Sequence, residues 1–371
     1  MLKTARLLHT MMILVVLTGC RLGRGGNQQP VANATATPAA SAIASTPSTP
    51  ANTSTPAPEG MYVTPATYEV EVFDNYEVHD AERDRTFPIL VRYPVGAPSP
   101  LPLIIWSHGG GYNNDGHHQN NEWGTVLASA GYAVIHIAHV EDEPGAHCVP
   151  LQIPADECET SDFSKEVREG GTIASPWYHK PLDGIAVLDD LENIERVANL
   201  TFDRDRIGAA GWSGGTVMVI GMAGSVRDVS PSVHNFTSFD PRVKAFLANS
   251  PQGIGANGYT ETSWDGITGP VLVATGKSDT TPNEQALSRL DSFEHMPGPD
   301  KYLLYIDSPD ANHTTFGLGS DGARKLQPYV AATGVAFFDA YLRGYPEALA
   351  WLNSTGMSLW SSGVAEISTK Q

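Results

Sequence analysis

Short apolar runs alternate along the chain with segments of helical spacing and with loops marked by glycine and proline. Leu103-Ile104-Ile105-Trp106 and Tyr132-Ala133-Val134-Ile135-His136-Ile137 are continuous apolar runs, as strands buried on both faces require. Between them, Trp123 to Ala130 has helical spacing and stops at Gly131, a residue suited to the left-handed turn that closes a helix. Tyr68–Val72 and Phe87–Val91 read as earlier, partly exposed strands, and Val243–Leu247, Val271–Ala274 and Tyr302–Ile306 as later ones. Helices are predicted over Leu182–Leu191, Pro282–Phe293 and Val330–Leu342. The proline of the second sits at its start, where a missing N–H does no harm. Strand and helix in alternation predict an α/β fold, a mainly parallel central sheet flanked by helices on both faces.

The pattern changes at the start of the chain. Lys3 and Arg6 precede an apolar run from Met11 to Leu17. That run is too short for a bilayer, which needs about 20 apolar residues, and has the layout of a secretory signal peptide. Leu17-Thr18-Gly19-Cys20 resembles the lipobox of bacterial lipoproteins. The resemblance implies cleavage before Cys20 and diacylation of its side chain, with each buried methylene contributing roughly 0.8 kcal/mol to membrane attachment. Ordinary secretion is the alternative. Arg21 to Gly60 is almost entirely Ala, Thr, Pro, Ser, Asn and Gly. Such a segment buries too little apolar surface to offset its ordering entropy and is expected to be an extended tether. The expected layout is therefore a leader over 1–20, a tether over 21–60, one globular domain over 61–352 and a tail over 353–371. No internal repeat interrupts the domain, and its length suffices for one large core.

Charge and cysteine usage narrow the setting. The formal net charge is −18 at pH 7. Binding to nucleic acid needs clustered Lys and Arg, so that partner is not expected, nor is electrostatic adhesion to anionic lipid. Cys148 and Cys158 fall in one loop-like segment, Glu141 to Trp177, rich in proline, glycine and acidic residues. In an oxidising compartment they can pair, and so short a loop would stabilise by roughly 2–3 kcal/mol. Two free thiols are the alternative; the Cys-x-x-Cys spacing of zinc sites is missing.

Candidate chemistry centres on Gly211-Trp212-Ser213-Gly214-Gly215, between the apolar stretch at Ile207 and the apolar segment Val217–Ile220. A Gly-x-Ser-x-Gly turn between strand and helix is a nucleophile elbow, whose tight turn lifts the serine hydroxyl clear of the sheet. A serine nucleophile needs a base, an acid to orient the base, and donors for the oxyanion. Trp106-Ser107-His108-Gly109-Gly110-Gly111-Tyr112 directly follows an apolar strand, and its glycines let backbone N–H groups approach the site. Gly110 is the first expected donor, with Gly109 and Gly111 as neighbours, and Gly214 is the second. Asp279 lies in the turn after the strand Val271–Ala274, at the carboxyl end where sites form on open parallel sheets. Asp307 and Asp310 are its rivals. The order Ser, Asp, His in this fold makes His313 the base, since His295 sits near a helix end between two strands. His117 and His118 are adjacent, but nothing near them in sequence has clear ligand spacing, so no metal or other cofactor is expected.

From about Phe87 to Leu342 the chain resembles the bacterial branch of α/β-hydrolases that includes platelet-activating-factor acetylhydrolases, predicted dienelactone hydrolases and cutinase or polyester-hydrolase proteins. The matching pieces are Ser107-His108-Gly109, Ala130-Gly131-Tyr132, Lys180-Pro181-Leu182-Asp183, Gly211–Gly215, Ser250-Pro251-Gln252-Gly253, Gly276-Lys277-Ser278-Asp279, Asn312-His313 and Ala336–Gly344, in the family's order. The resemblance implies the α/β-hydrolase fold with Ser213 as nucleophile, Asp279 as acid and His313 as base. Departures are Trp212, where relatives often have histidine, Gly214, where a larger residue is common, and Lys180, where arginine is frequent. It implies a serine carboxylic-ester hydrolase whose activity falls as the histidine is protonated. A non-catalytic binding protein on the same scaffold, a tether-displayed adhesion protein and a serine peptidase are the rival readings. Lipid esters, acetyl esters, chlorophyll-like esters and polyesters all suit one triad, and fold does not choose among them. Tyr112, Trp212 and Gln252 are expected to line the cleft. The protein is expected to be a monomer, held to a bacterial membrane outside the cytoplasm through Cys20.

Overall fold

A computed structural model describes residues 57–141, 176–229 and 233–370. The leader, Cys20, Cys148 and Cys158 lie outside the described residues. In chain order the strands are β1 (Val70–Asp80), β2 (Arg85–Pro94), β3 (Leu101–Ser107), β4 (Ala133–Ile137), β5 (Phe202–Trp212), β6 (Val243–Asn249), β7 (Val271–Gly276), β8 (Lys301–Ile306) and β9 (Ala365–Lys370). The helices are α1 (Asn121–Ser129), α2 (Pro176–Asp189), α3 (Leu191–Ala198), α4 (Thr216–Met222), α5 (Asp291–His295), α6 (His313–Phe316), α7 (Gln327–Tyr341), α8 (Pro346–Leu352) and α9 (Gly356–Ser361).

Among the described residues all nine strands join one sheet in the order β1-β2-β4-β3-β5-β6-β7-β8-β9. Pairing is parallel from β4 through β8 and antiparallel at β1–β2, β2–β4 and β8–β9. The protein is thus an α/β protein with a mostly parallel sheet. Every residue of β3, β4 and β7 is buried, as their unbroken apolar runs predict. Alternate side chains feed two cores. Leu103, Ile105 and Ile135 pack with Val187 of α2, Ile194 of α3 and Met218 of α4. Ile104, Trp106 and Val134 pack on the other face with Trp123 of α1, Phe337 and Phe338 of α7 and Leu352 of α8. A period of two along each strand, with helices on both faces, is what makes both stripes apolar.

Three expectations are corrected. The stretch over 353–371 is no tail: α9 packs there, and β9 pairs with β8 from Ala365↔Ile306 to Lys370↔Lys301. The tether ends earlier than Gly60, because Trp351 Nε1 donates to the Gly60 carbonyl at 2.7 Å. The helix predicted over Pro282–Phe293 is a turn at Thr281–Glu284, a 3-10 segment Ala286–Leu290, then α5. The chain turns inward there because Arg289 is fully buried against Glu284, at 2.7 Å, instead of facing water. Among the described residues no helix is long and apolar enough to cross a membrane.

Candidate active site

The carboxyl ends of β3, β5, β7 and β8 gather the chemistry. Ser213 directly follows β5 and holds φ at +52°, in the left-handed region that costs a non-glycine residue roughly 1–3 kcal/mol. Glycines make the turn possible. A Cβ on Gly215 would fall 2.1 Å from the Ser107 carbonyl oxygen, and one on Gly214 would fall 2.2 Å from that of Gly110. The elbow and the loop after β3 are therefore in backbone contact. The helix α4 starts at once, with the Thr216 hydroxyl 2.7 Å from the Ser213 carbonyl oxygen and 2.9 Å from Gln252 Oε1.

His313 opens α6. Asn312 caps that turn by accepting from the Thr315 N–H at 3.1 Å. His313 Nε2 lies 2.8 Å from Ser213 Oγ, and His313 Nδ1 lies 2.7 Å from Asp279 Oδ1. Asp279 is fully buried and accepts from Thr275 Oγ1 at 2.7 Å. A parallel bridge between Ser278 and Asn312 joins the loops that carry the acid and the base. The hydroxyl donates to the imidazole, and the imidazole donates to the carboxylate, which fixes the tautomer a general base requires. Ser213 is half-buried.

Of the rival acids, Asp307 pairs with Lys277 at 2.7 Å and Asp310 with Lys325 at 2.6 Å, both on the surface. His295 stacks near Trp264, at 6.0 Å between ring centroids. Gly110 has φ +73° and rests its carbonyl against Gly214, which brings both expected donor residues beside Ser213. Trp212 and Gln252 adjoin the triad. Trp212 Nε1 donates to the His313 carbonyl at 3.0 Å, and its ring lies 5.0 Å from the imidazole. Tyr112 instead sits near Arg85 and His179, with the guanidinium 5.8 Å from its ring centroid.

Two features had no signal in the sequence. Arg289 is fully buried, with Nε 3.8 Å from Asp279 Oδ1 and Nη1 donating to the Pro251 carbonyl at 2.9 Å. It supplies positive charge behind the acid. Burial pushes the neighbouring Glu284 carboxyl above its ordinary pKa, opposed by the Arg289 charge. The second is Asp74, which a register shift in β1 between Phe73 and Tyr76 accompanies. It stands with His117 and His118 so that one ligand atom of each lies within 4.8 Å of the others. His118 Nε2 is 2.6 Å from Asp74, and its Nδ1 faces Asp115. These two carboxylates hold His118 above its ordinary pKa, while His117 Nε2 lies 3.8 Å from Asp74 and its buried Nδ1 has no hydrogen-bond partner.

The chain matches no protein-family model and no curated protein.

Proposed function

We propose that the protein is a serine carboxylic-ester hydrolase of the α/β-hydrolase fold, acting through an acyl-enzyme on lipid-like or other carboxylic esters. The observation that carries this reading is the unbroken chain Ser213 Oγ–His313 Nε2 at 2.8 Å and His313 Nδ1–Asp279 at 2.7 Å, built on a serine in left-handed conformation. Strand–turn–helix at Ser213 and the order Ser, Asp, His support the finer fold assignment. Ser213 attacks the ester carbonyl carbon while His313 accepts the hydroxyl proton. The Gly110 and Gly214 N–H groups receive the oxyanion. The carbonyl re-forms, the alcohol leaves with the proton from His313, and the acyl group stays on Ser213. Water, deprotonated by His313, then releases the acid. Asp279 holds the imidazole and stabilises its charged form. No step calls for a metal or organic cofactor. Attachment to a membrane through Cys20, outside the cytoplasm, is the accompanying proposal on location.

A non-catalytic relative would be expected to lack one of the three groups, and all three are within hydrogen-bond distance. The test is hydrolysis of p-nitrophenyl esters of graded acyl length, with a phospholipid, a polyester film and an amide series alongside. Ser213→Ala should lose at least a thousandfold in kcat. A fluorophosphonate should label the unaltered chain at Ser213. Retention of activity by Ser213→Ala would sink the assignment, and faster cleavage of amides than of esters would favour a peptidase.

A further inference from the structure

Behind the loop that carries Gly110 lies a second serine–histidine–aspartate chain. Ser107 Oγ is 2.8 Å from His139 Nε2, and His139 Nδ1 is 2.9 Å from Asp183 Oδ2. All three are fully buried, so no substrate can reach this serine. From these contacts, and resting on the reading of Ser213 as nucleophile, we infer that Ser107, His139, Asp183 and Lys180 are positioning residues that hold the oxyanion-binding loop in place.

Each residue leading to Gly110 has its own polar anchor. Ser107, the last residue of β3, is held through its hydroxyl by His139. The His108 carbonyl accepts from Lys180 Nζ at 2.7 Å. The His108 ring donates from Nδ1 to the Gly109 carbonyl at 2.7 Å and lies 5.2 Å from the His139 ring. Gly110 follows with φ +73° and its carbonyl against Gly214. Lys180 and Asp183 are three residues apart on α2, hence on one face of it, and both are fully buried. The other Asp183 oxygen is 2.8 Å from Arg83 Nη2 and 3.3 Å from Arg85 Nε. Burial keeps His139 well below its ordinary pKa. The imidazole is therefore neutral, donates from Nδ1 to the carboxylate, and accepts the Ser107 hydroxyl at Nε2.

Burying a lysine and an aspartate under a loop is expensive when apolar residues could fill the space. Glycines at 109, 110 and 111 cannot fix a donor by themselves, because glycine leaves the backbone free. An oxyanion donor works only when it is held in advance, within about 0.5 Å of its working position. The network supplies that constraint from α2 and from the end of β4.

The test uses the full chain and the variants Ser107→Ala, Lys180→Met and Lys180→Arg. Ester turnover is measured together with the Ki of a trifluoromethyl ketone, whose serine adduct carries an oxyanion. Expected are a 10- to 100-fold fall in kcat for Ser107→Ala and Lys180→Met, KM within about twofold, and a Ki that rises in proportion to the loss of kcat/KM. Lys180→Arg, which keeps a donor, should recover most of the loss. Ser107→Ala removes one oxygen, so it gives a folded variant even where the lysine variants do not. Folded variants whose kcat and Ki stay within twofold of the unaltered protein overturn the inference. A fall in kcat with unchanged Ki overturns it too, since the effect would then lie outside the oxyanion site. If the unaltered protein neither turns over esters nor takes up a fluorophosphonate, the esterase reading fails first and this role fails with it.

Discussion

Adding one methyl group at Gly214 tests how closely the elbow and the oxyanion loop are coupled. In Gly214→Ala the new Cβ would fall 2.2 Å from the Gly110 carbonyl oxygen and 2.9 Å from the Trp177 ring. An ordinary carbon–oxygen contact needs about 3.3 Å, so the two backbones must part by about 1 Å. Neither obstacle near the Cβ is the free end of a flexible chain: one is backbone, the other an aromatic ring. Both proposed donors, Gly110 N–H and Gly214 N–H, ride on the segments that would separate. A displacement of about 1 Å in a catalytic group costs on the order of a hundredfold, and complete loss of one oxyanion donor about a hundred- to a thousandfold. The expected outcome is a drop in kcat of at least a hundredfold, with KM for p-nitrophenyl butyrate little changed. Turnover and thermal unfolding are measured on the same preparation, so that misfolding is seen separately. A folded Gly214→Ala with kcat within threefold of the unaltered protein would refute the placement of the oxyanion site between these loops.

Other substitutions reach different parts of the structure. Arg289→Met leaves the buried Asp279 and the half-buried Glu284 carboxylates without their shared cation, so urea unfolding should show a loss of about 3–5 kcal/mol and ester turnover should fall with it. Ending the chain at Leu352 removes β9 and uncovers the length of β8, together with the apolar ground under Met357 and Ala365. That truncation should give aggregated protein, read by partition into the pellet on expression. Burial pushes the Lys180 ammonium down to about 7, against the pull of Asp183. Its folded pKa thus lies below its unfolded value of about 10.4, the unfolded chain holds the extra proton between them, and stability from this group rises with pH across that window. Urea unfolding at pH 7.5 and 9.5 should show the unaltered protein gaining about 2–3 kcal/mol relative to Lys180→Met, at about 1.4 kcal/mol per unit. An equal pH slope in both proteins would contradict this.

How much was legible in the sequence depended on whether the signal was local. The runs at β3, β4 and β7 declared themselves because both faces are buried and every position but His136 is apolar or small. β9 reads Ala-Glu-Ile-Ser-Thr-Lys and carries a single large apolar side chain, because it closes an edge and faces water along much of its length. The first half of β5, Phe202-Asp203-Arg204-Asp205-Arg206, was hidden by its charges although β5 is an interior strand: Arg204 and Asp205 are exposed where its pairing with β3 shifts register after Pro102. Ser213, Asp279 and His313 were legible because each sits just beyond the carboxyl end of an apolar strand, in a fixed order. Ser107, His139 and Asp183 were not recognised as a unit. Their meeting depends on the register of β3 against β4, where Ser107 faces Ile137, and on how α2 lies across that end of the sheet. Arg289 was lost with the helix assigned to its segment, since helical spacing says nothing about an arginine turned inward.

Charge and strain collect at one end of this sheet. Asp279, Arg289, Lys180 and Asp183 are fully buried there, and Ser213 holds a left-handed backbone. Replacing buried charges together with apolar groups of similar volume is often neutral or stabilising, so stability alone gives little reason for such a cluster. Function gives one, because donors and a base aimed at a developing oxyanion must be fixed before the substrate arrives. The two explanations separate at Lys180. There the displaced proton makes the charged form unfavourable in the fold, while the Nζ–H still reaches the His108 carbonyl. If the lysine is retained for the loop, Lys180→Met should be no less stable near pH 7 and yet turn over esters more slowly. If it is retained for the fold, stability and turnover should fall together in that variant.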